Sequence, residues 1–308
     1  MSFTQEVKQE IATRELPAQD LRAQSAALVQ LCASLRISNQ QLELLIKTEN
    51  ANTAKRMFTL LKTLYQAPMK LSVIKKMKLR KNNVYQLHVL SSAKAILEDL
   101  DVIDGEGLRA HPGAALVADE GAARAYLAGA FLAAGSINSP KKSNYHCEIV
   151  TQDEAHARFV QGLMNRFELG AKYIERRHQH VVYLKASEKI SDFLRLIQAN
   201  NAVLDFEDIR IQRDFHNSMT RLDNCEVANN MKTMVAAQEH IHAIQTLIDT
   251  ERFEELDDKL KLIAYLRLNH PEASLNDMVS LFRLKTGQNI SKSGIKHRLA
   301  KLIEIHKN

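Results

Sequence analysis

YLAGAFLAAGSIN, residues 126–138, sets small side chains at helical spacing: Ala130, Ala133 and Ala134, with Gly129 and Gly135 among them. Leu127 and Phe131 lie four apart and share one side of a helix. A face of Gly and Ala lets a second backbone come close, because no long side chain holds it off. Gly135 is placed to stop the helix in a left-handed conformation. Two readings follow: a buried helix in an ordinary α+β domain, or one of two central helices around which a pair of repeats is built. The rest of the chain decides between them.

Working outward, the same order of elements occurs twice. Residues 20–35 read as a helix with Asp20 as its cap, and Ala26, Ala27, Leu28, Leu31, Cys32 and Leu35 on its apolar side. A strand over Leu42–Thr48, a helix over Ala51–Tyr65 and paired strands over Lys70–Lys78 and Val84–Leu90 follow. Ser91 or Ser92 then caps a short helix that runs to Leu100. After a polar linker, Asp101–Pro112, the order returns: helix 121–134, strand 145–150, and a helix over 153–169 with Phe159, Val160, Leu163, Met164 and Phe167 inward. A hairpin around His178 comes next, Ala171–Arg176 with Val181–Lys185, and then a closing helix from Ser187. Two such units each expose a sheet face and a helix, and burying these together makes one pseudo-twofold domain.

With 308 residues the chain can hold two or three domains. Three cysteines, Cys32, Cys147 and Cys225, lie too far apart for a disulfide framework or a zinc motif, which points to a reducing cytoplasm. The first residues, MSFTQEVKQE, lack the apolar core of a secretory signal. The net charge of +6 fits an anionic partner, and its placement says more. Residues 50–97 carry ten Lys or Arg and no acid, 98–120 are acidic, and 283–308 carry seven Lys or Arg against Glu304 alone.

The YLAGAFLAAG run resembles the central helix of LAGLIDADG homing endonucleases at Leu127, Ala128, Gly129, Ala133 and Gly135. Through GSIN at 135–138, RLDNCEVAN at 221–229 and the chain's last residues, nearly the whole length resembles the WhiA family, DNA-binding regulators of sporulation and cell division in Gram-positive bacteria. Homing endonucleases need an acid at the base of each central helix to hold divalent metal against the scissile phosphates. Here the matching position is Ala134, and the first helix offers only Ser34 and Leu35 near its end. Neither alanine nor a lone hydroxyl holds Mg²⁺ well. Glu148 falls on a strand. The resemblance therefore implies a retained fold without cleavage, with no catalytic residue, metal or cofactor.

The strands can still lie on DNA, as β-ribbon readers do. Lys70, Lys75, Lys76, Lys78, Arg80 and Lys81 sit on or beside the first hairpin, and Lys75 and Lys76 point to opposite faces of a regular strand. We take Lys75, Lys76 and Lys78 as phosphate-contact candidates; lysines guarding a sheet edge are the alternative. The second hairpin carries Lys172, Arg176, Arg177 and Lys185. FEDIRIQ at 206–212 alternates as one more strand would, and 217–248 reads as a helix on which Met231, Met234, Val235, Gln238, Ile241 and Ile244 follow helical spacing. In that helix Arg221, Asn224, Asn229 and Lys232 are candidates for DNA contact or domain docking, and Cys225 reads as a small packing residue. His240 and His242, two apart, fall on different helix faces and make no zinc motif, and His178 and His180 lack a third ligand.

The last third carries the functional expectation. Leu256–Leu268 is a helix, Ser274 with Asp277 caps the next, Thr286–Gln288 is the turn, and Ser291 or Ser293 starts a final helix with Ile295, Leu299 and Leu302 inward. Three short helices with a Gly turn before a basic third make a helix-turn-helix. Its outward side carries Ser293, Lys296, His297 and Lys301, flanked by Lys292 and Arg298. Lys296 and His297 suit base edges, and Lys292, Arg298 and Lys301 suit phosphates.

The expected architecture is α+β: a duplicated LAGLIDADG endonuclease-like domain followed by an all-α helix-turn-helix domain. Its divisions are 1–100, a linker 101–120, 121–199, a connecting helical segment 200–252, and 253–308. The expected function is a non-catalytic, sequence-specific transcription regulator of cell division or sporulation. An interaction scaffold in division or nucleoid control and a metal-dependent endonuclease are the alternatives. Its partners are double-stranded DNA at promoters and the transcription machinery, with no membrane. A monomer suffices, because the repeat supplies both central helices. It is expected to be cytoplasmic and nucleoid-associated.

Overall fold

The computed structural model describes residues 2–38, 41–75 and 83–307. The chain divides into two compact units, Met1–Arg213 and Asp214–Asn308. In the first, α1 (Phe3–Thr13) precedes a sevenfold series of elements: α2 (Ala18–Cys32), β1 (Ala33–Ser38), β2 (Gln41–Thr48), α3 (Ala51–Tyr65), β3 (Met69–Lys75), β4 (Asn83–Val89) and α4 (Ala93–Asp99). A two-strand hairpin, β5 (Ile103–Asp104) with β6 (Gly107–Leu108), leads to the second series: α5 (Glu120–Ala134), β7 (Gly135–Ile137), β8 (Cys147–Thr151), α6 (Glu154–Arg166), β9 (Lys172–Arg176), β10 (Gln179–Leu184) and α7 (Ser187–Leu196). The two four-stranded antiparallel sheets have the same order, β1-β2-β4-β3 and β7-β8-β10-β9. The α+β duplication read from the sequence is therefore present, with one strand more per repeat than its periodicity revealed.

That extra strand has a physical cause. The helix expected over 20–35 ends at Cys32, and the chain passes directly into β1; Gly135 begins β7 in the same way. Leu35 satisfies a helical and an alternating pattern equally, so spacing alone could not divide the run. Two further corrections concern caps. Asp20 lies inside the first turn of α2, buried, while Pro17 occupies the cap. Ser92 precedes α4 in a left-handed conformation without a side-chain cap bond.

The centre of the first unit is the crossing of α2 and α5. A Cβ added at Gly129 would stand 2.6 Å from the Gln24 carbonyl oxygen and 2.9 Å from the Ala27 Cβ. Glycine there is what lets the backbones touch. Gly135, by contrast, is extended (φ −79°, ψ 148°), so the left-handed stop does not occur. Glycine is needed because a Cβ would meet the Phe131 ring at 2.3 Å. The flanking helices lock onto this crossing through their third residues. Thr53 Oγ1 donates to the Leu132 carbonyl at 3.1 Å, and His156 Nε2 is hydrogen-bonded to the Tyr126 hydroxyl at 2.8 Å. Their caps are alike too, Asn50 accepting from Thr53 N–H and Asp153 from His156 N–H. Phe159 and Phe167 are only half-buried; Phe159 stacks on His111 with ring centres 4.7 Å apart.

α1 adds a helix to those expected from the sequence. A Ser2–Gln5 capping box starts it, and Phe3, Val7 and Ile11 are buried. Thr4 Oγ1 both accepts from Ile137 N–H (3.0 Å) and donates to its carbonyl (2.8 Å), so α1 covers the edge strand β7. The FEDIRIQ strand is likewise overturned. Those residues belong to α8 (Asn200–Asp249), whose Ala202, Val203 and Phe206 are buried at helical spacing. The Glu10 carboxylate accepts from the amides of Asn201 and Ala202, capping α8 from a remote helix.

In the second unit the rest of α8 is followed by α9 (Asp258–Asn269), α10 (Leu275–Thr286) and α11 (Lys292–Lys307). Ile244, Leu247, Phe253, Ile263, Met278, Phe282, Ile295, Leu299 and Leu302 form their common core.

Candidate nucleic-acid interface

Short-range chemistry fixes the three helices of the second unit. Asp257 accepts from Leu260 N–H to start α9. Ser274 and Asp277 form the expected reciprocal box on α10. Gly287 ends α10 at φ 70°, where a side chain would be strained. Ser291 Oγ accepts from Gly294 N–H at 3.0 Å at the start of α11. Ile295, Leu299 and Leu302 are fully buried, which turns Ser293, Lys296, His297 and Lys301 outward. Lys292 is exposed and Arg298 half-buried, as their flanking positions require. The result is an exposed basic face without an acid until Glu304.

Along α8, Arg221, Asn224 and Lys232 are exposed. Cys225 is exposed as well, which overturns its reading as a packing residue. Met231, Met234 and Val235 are 58%, 48% and 62% exposed, so their spacing does not mark a core stripe; burial begins at Ala237. Lys232 does not stand alone. With Lys292 and Lys296 it lines one open pocket of about 330 Å³, together with His240, Arg267, Ser274 and Asn276. Sequence reasoning missed Arg267 and His240 here, since they lie on different helices far apart in the chain. Arg267 is only 2% exposed, and its Nη1 donates to the Ala273 carbonyl at 2.7 Å. Burial lowers the His240 pKa from its ordinary value, the neighbouring Arg267 lowers it further, and Glu239 opposes both.

In the first unit the candidates are divided. Lys75 pairs with Asn83, and by alternation it shares the sheet face of the buried Leu87 and Val89 and of the exposed Leu71. Lys70 and His88 lie on the other face with Glu43, whose carboxylate is 3.4 Å from His88 Nε2. Lys76 and Lys78 fall outside the described residues. On the second sheet Lys172 and Arg176 lie on the face opposite the buried Ile149, Val182 and Leu184. Arg177 and His178 form its turn, both at positive φ.

The ends of the central helices are also defined. Cys32 and Ala134 are the last helical residues, so Ser34 and Leu35 lie on β1 and not at a helix end. Ala33, Ala134 and Glu148 line the cleft there. Glu148 is already engaged, 3.0 Å from His146 Nε2 and 3.6 Å from an Arg176 guanidinium nitrogen. Burial pushes the Cys32 thiol up to about 12 and lowers the adjacent Lys8 to about 8. Among the described residues no helix is long and apolar enough to cross a membrane.

Comparison with known proteins gives three successive matches. Residues 19–103 match the WhiA N-terminal LAGLIDADG-like domain, 123–216 the WhiA LAGLIDADG-like domain, and 219–306 the WhiA C-terminal HTH domain. The chain is 43% identical over 306 residues to a "Probable cell division protein WhiA" of Staphylococcus saprophyticus, covering 99% of this chain and 96% of that one. The protein of that name in Staphylococcus aureus is also 43% identical, over 307 residues, with the same coverage. The crystal structure of full-length DUF199/WhiA from Thermatoga maritima has the same fold, with a TM-score of 0.61 at 21% identity, covering 100% of this chain and 98% of the other.

Proposed function

This chain belongs to the WhiA family, and from that premise we propose that it is a sequence-specific DNA-binding regulator of cell division, sporulation or both, that cuts no DNA. The observation that carries the reading is α11. Its apolar stripe is wholly buried, and its opposite face presents Ser293, Lys296, His297 and Lys301 to solvent. A helix of this width enters the major groove, where Lys296 and His297 reach base edges while Lys292, Arg298 and Lys301 hold phosphates. Arg221, Asn224 and Lys232 extend the contact along α8, and Lys75, Lys76 and Lys78 with the second hairpin supply charge from the duplicated domain. Its partners are promoter DNA and, through it, the transcription machinery. Its place is the cytoplasm, on the nucleoid. The divisions proposed are 1–100, 101–120, 121–199, 200–252 and 253–308.

Absence of cleavage follows from the residues present. Cys32 and Ala134 stand at the helix ends where a nuclease of this fold needs carboxylates, and Glu148 is paired. A scaffold role has one observation in its favour, the exposed Phe215, Met219 and Leu222 on α8. Genome-wide crosslinking of the wild type against a Lys296→Ala, His297→Ala double variant separates the two. Discrete sites that vanish in the variant support the regulator. Sites unchanged in position and strength place the reading head elsewhere.

A further inference from the structure

The pocket shared by α8, α9, α10 and α11 has the construction of a ligand site, and its buried Arg267 and His240 lie outside the proposed reading face of α11. Lys232 comes from α8, Arg267 from α9, and Lys292 and Lys296 from α11, with no acidic side chain in its lining. The first turn of α10 opens onto it through Leu275 and Asn276, whose amides have no carbonyl to bond within the helix. Arg267 adds an independent observation: it is 2% exposed, and its Nε has no hydrogen-bond partner. His240 Nδ1 is likewise buried without a partner. Native structures rarely leave two such groups at one place unless a ligand or water completes them.

We propose that this pocket is a phosphoryl-group site, in which Arg267, Lys232 and Lys292 neutralise the anion, the start of α10 supplies amide donors, and Lys296 at the rim stays free for base edges. Helix N-termini with nearby cations bind phosphate in this way. The shared chemistry has two sources, a backbone phosphate of duplex DNA or a free phosphorylated small molecule; only the first rests on the DNA-binding reading. The volume of about 330 Å³ admits either. His240 reports occupancy. Arg267 faces it from α9, Glu239 flanks it on its own helix, and Lys232, Lys292 and Lys296 share its pocket. Burial and Arg267 now hold the ring towards its neutral form. An anion beside it reverses part of that shift.

The test uses the full chain with isotope-labelled histidine, His240 being identified by its loss in His240→Gln. Inorganic phosphate is titrated in near neutral pH at constant ionic strength, with chloride as reference, and a duplex oligonucleotide is titrated separately. Movement of the His240 ring signals towards the protonated form with phosphate is the expected result. A Lys232→Ala, Lys292→Ala variant, which loses two charge-assisted contacts, should weaken that response by at least about tenfold, the effect expected of losing either one. Movement with phosphate and duplex, or with duplex alone, assigns the site to the DNA backbone. Movement with phosphate alone assigns it to a free ligand. No movement with either, or a response the double variant leaves unchanged, overturns the proposal. The phosphate arm contains no DNA, and His297, which lies outside the pocket, tests the reading helix separately.

Discussion

Replacing Gly129 by Ala should destabilise the duplicated domain, although the same change in a free helix would stabilise it. In an exposed helix interior the gain is about 1 kcal/mol. Here the new Cβ would stand 2.6 Å from the Gln24 carbonyl oxygen, and ordinary contact begins at 3.4 Å, so α2 and α5 must part by roughly 0.8 Å. The obstructing atom is backbone and cannot swing aside. A gap of that size forfeits a quarter to a half of each dispersion contact along the crossing, and overpacking of this kind costs ~1–3 kcal/mol. Because the contact is backbone on backbone, the upper part of that range applies, leaving a net loss of about 2 kcal/mol. Gly162 is the control: it is exposed within α6, and an added Cβ meets nothing within 4 Å. Gly162→Ala should gain about 0.5–1 kcal/mol. Hydrogen exchange of peptides covering α5 for Gly129 and α6 for Gly162 measures each change locally, without assuming that the two units unfold together. Gly129→Ala should exchange roughly 30-fold faster and Gly162→Ala no faster than wild type. Equal or slower exchange in Gly129→Ala would refute the close crossing.

Further outcomes follow from individual residues. Burial, helped by the neighbouring His111 and opposed by Asp153, drops His156 to about 4. Because its folded pKa lies below the ordinary 6.5, the unfolded chain takes up more protons between these values. Its contribution is therefore present above pH 6.5 and lost as pH falls towards 4, by about 3 kcal/mol; His156→Leu should flatten denaturation midpoints across that window. Lys301→Ala should weaken DNA binding alike on all sequences and reduce the salt-dependence slope by about one unit, whereas His297→Ala should change sequence preference. The purified wild type should leave supercoiled plasmid intact in Mg²⁺; nicking that Glu148→Gln abolishes would return the domain to the nucleases.

The candidate interface was half legible in the sequence. Ser293, Lys296, His297 and Lys301 could be found because burial of Ile295, Leu299 and Leu302 dictates which side of one helix faces out. Arg267 and His240 could not: Arg267 reads as an ordinary helical position and His240 as half of a failed zinc motif until α8 and α9 bring them beside Lys292. Lys75 shows the limit from the other side, since its charge was evident but its sheet face depends on pairing with Asn83.

By themselves the residues determined what local physics decides. Helical spacing gave the small-residue crossing helix, the Ser274–Asp277 box began α10, and Gly287 closed it. The recurrence of elements gave the duplication. Tertiary structure decided whatever depends on a distant partner. β1 and β7 exist because β2 and β8 pair with them, and α8 starts where Glu10 caps it. Gly135 is required by the Phe131 ring and not by a left-handed turn. Periodicity records which face of an element is apolar; only packing determines what that face, or a buried arginine, finally meets.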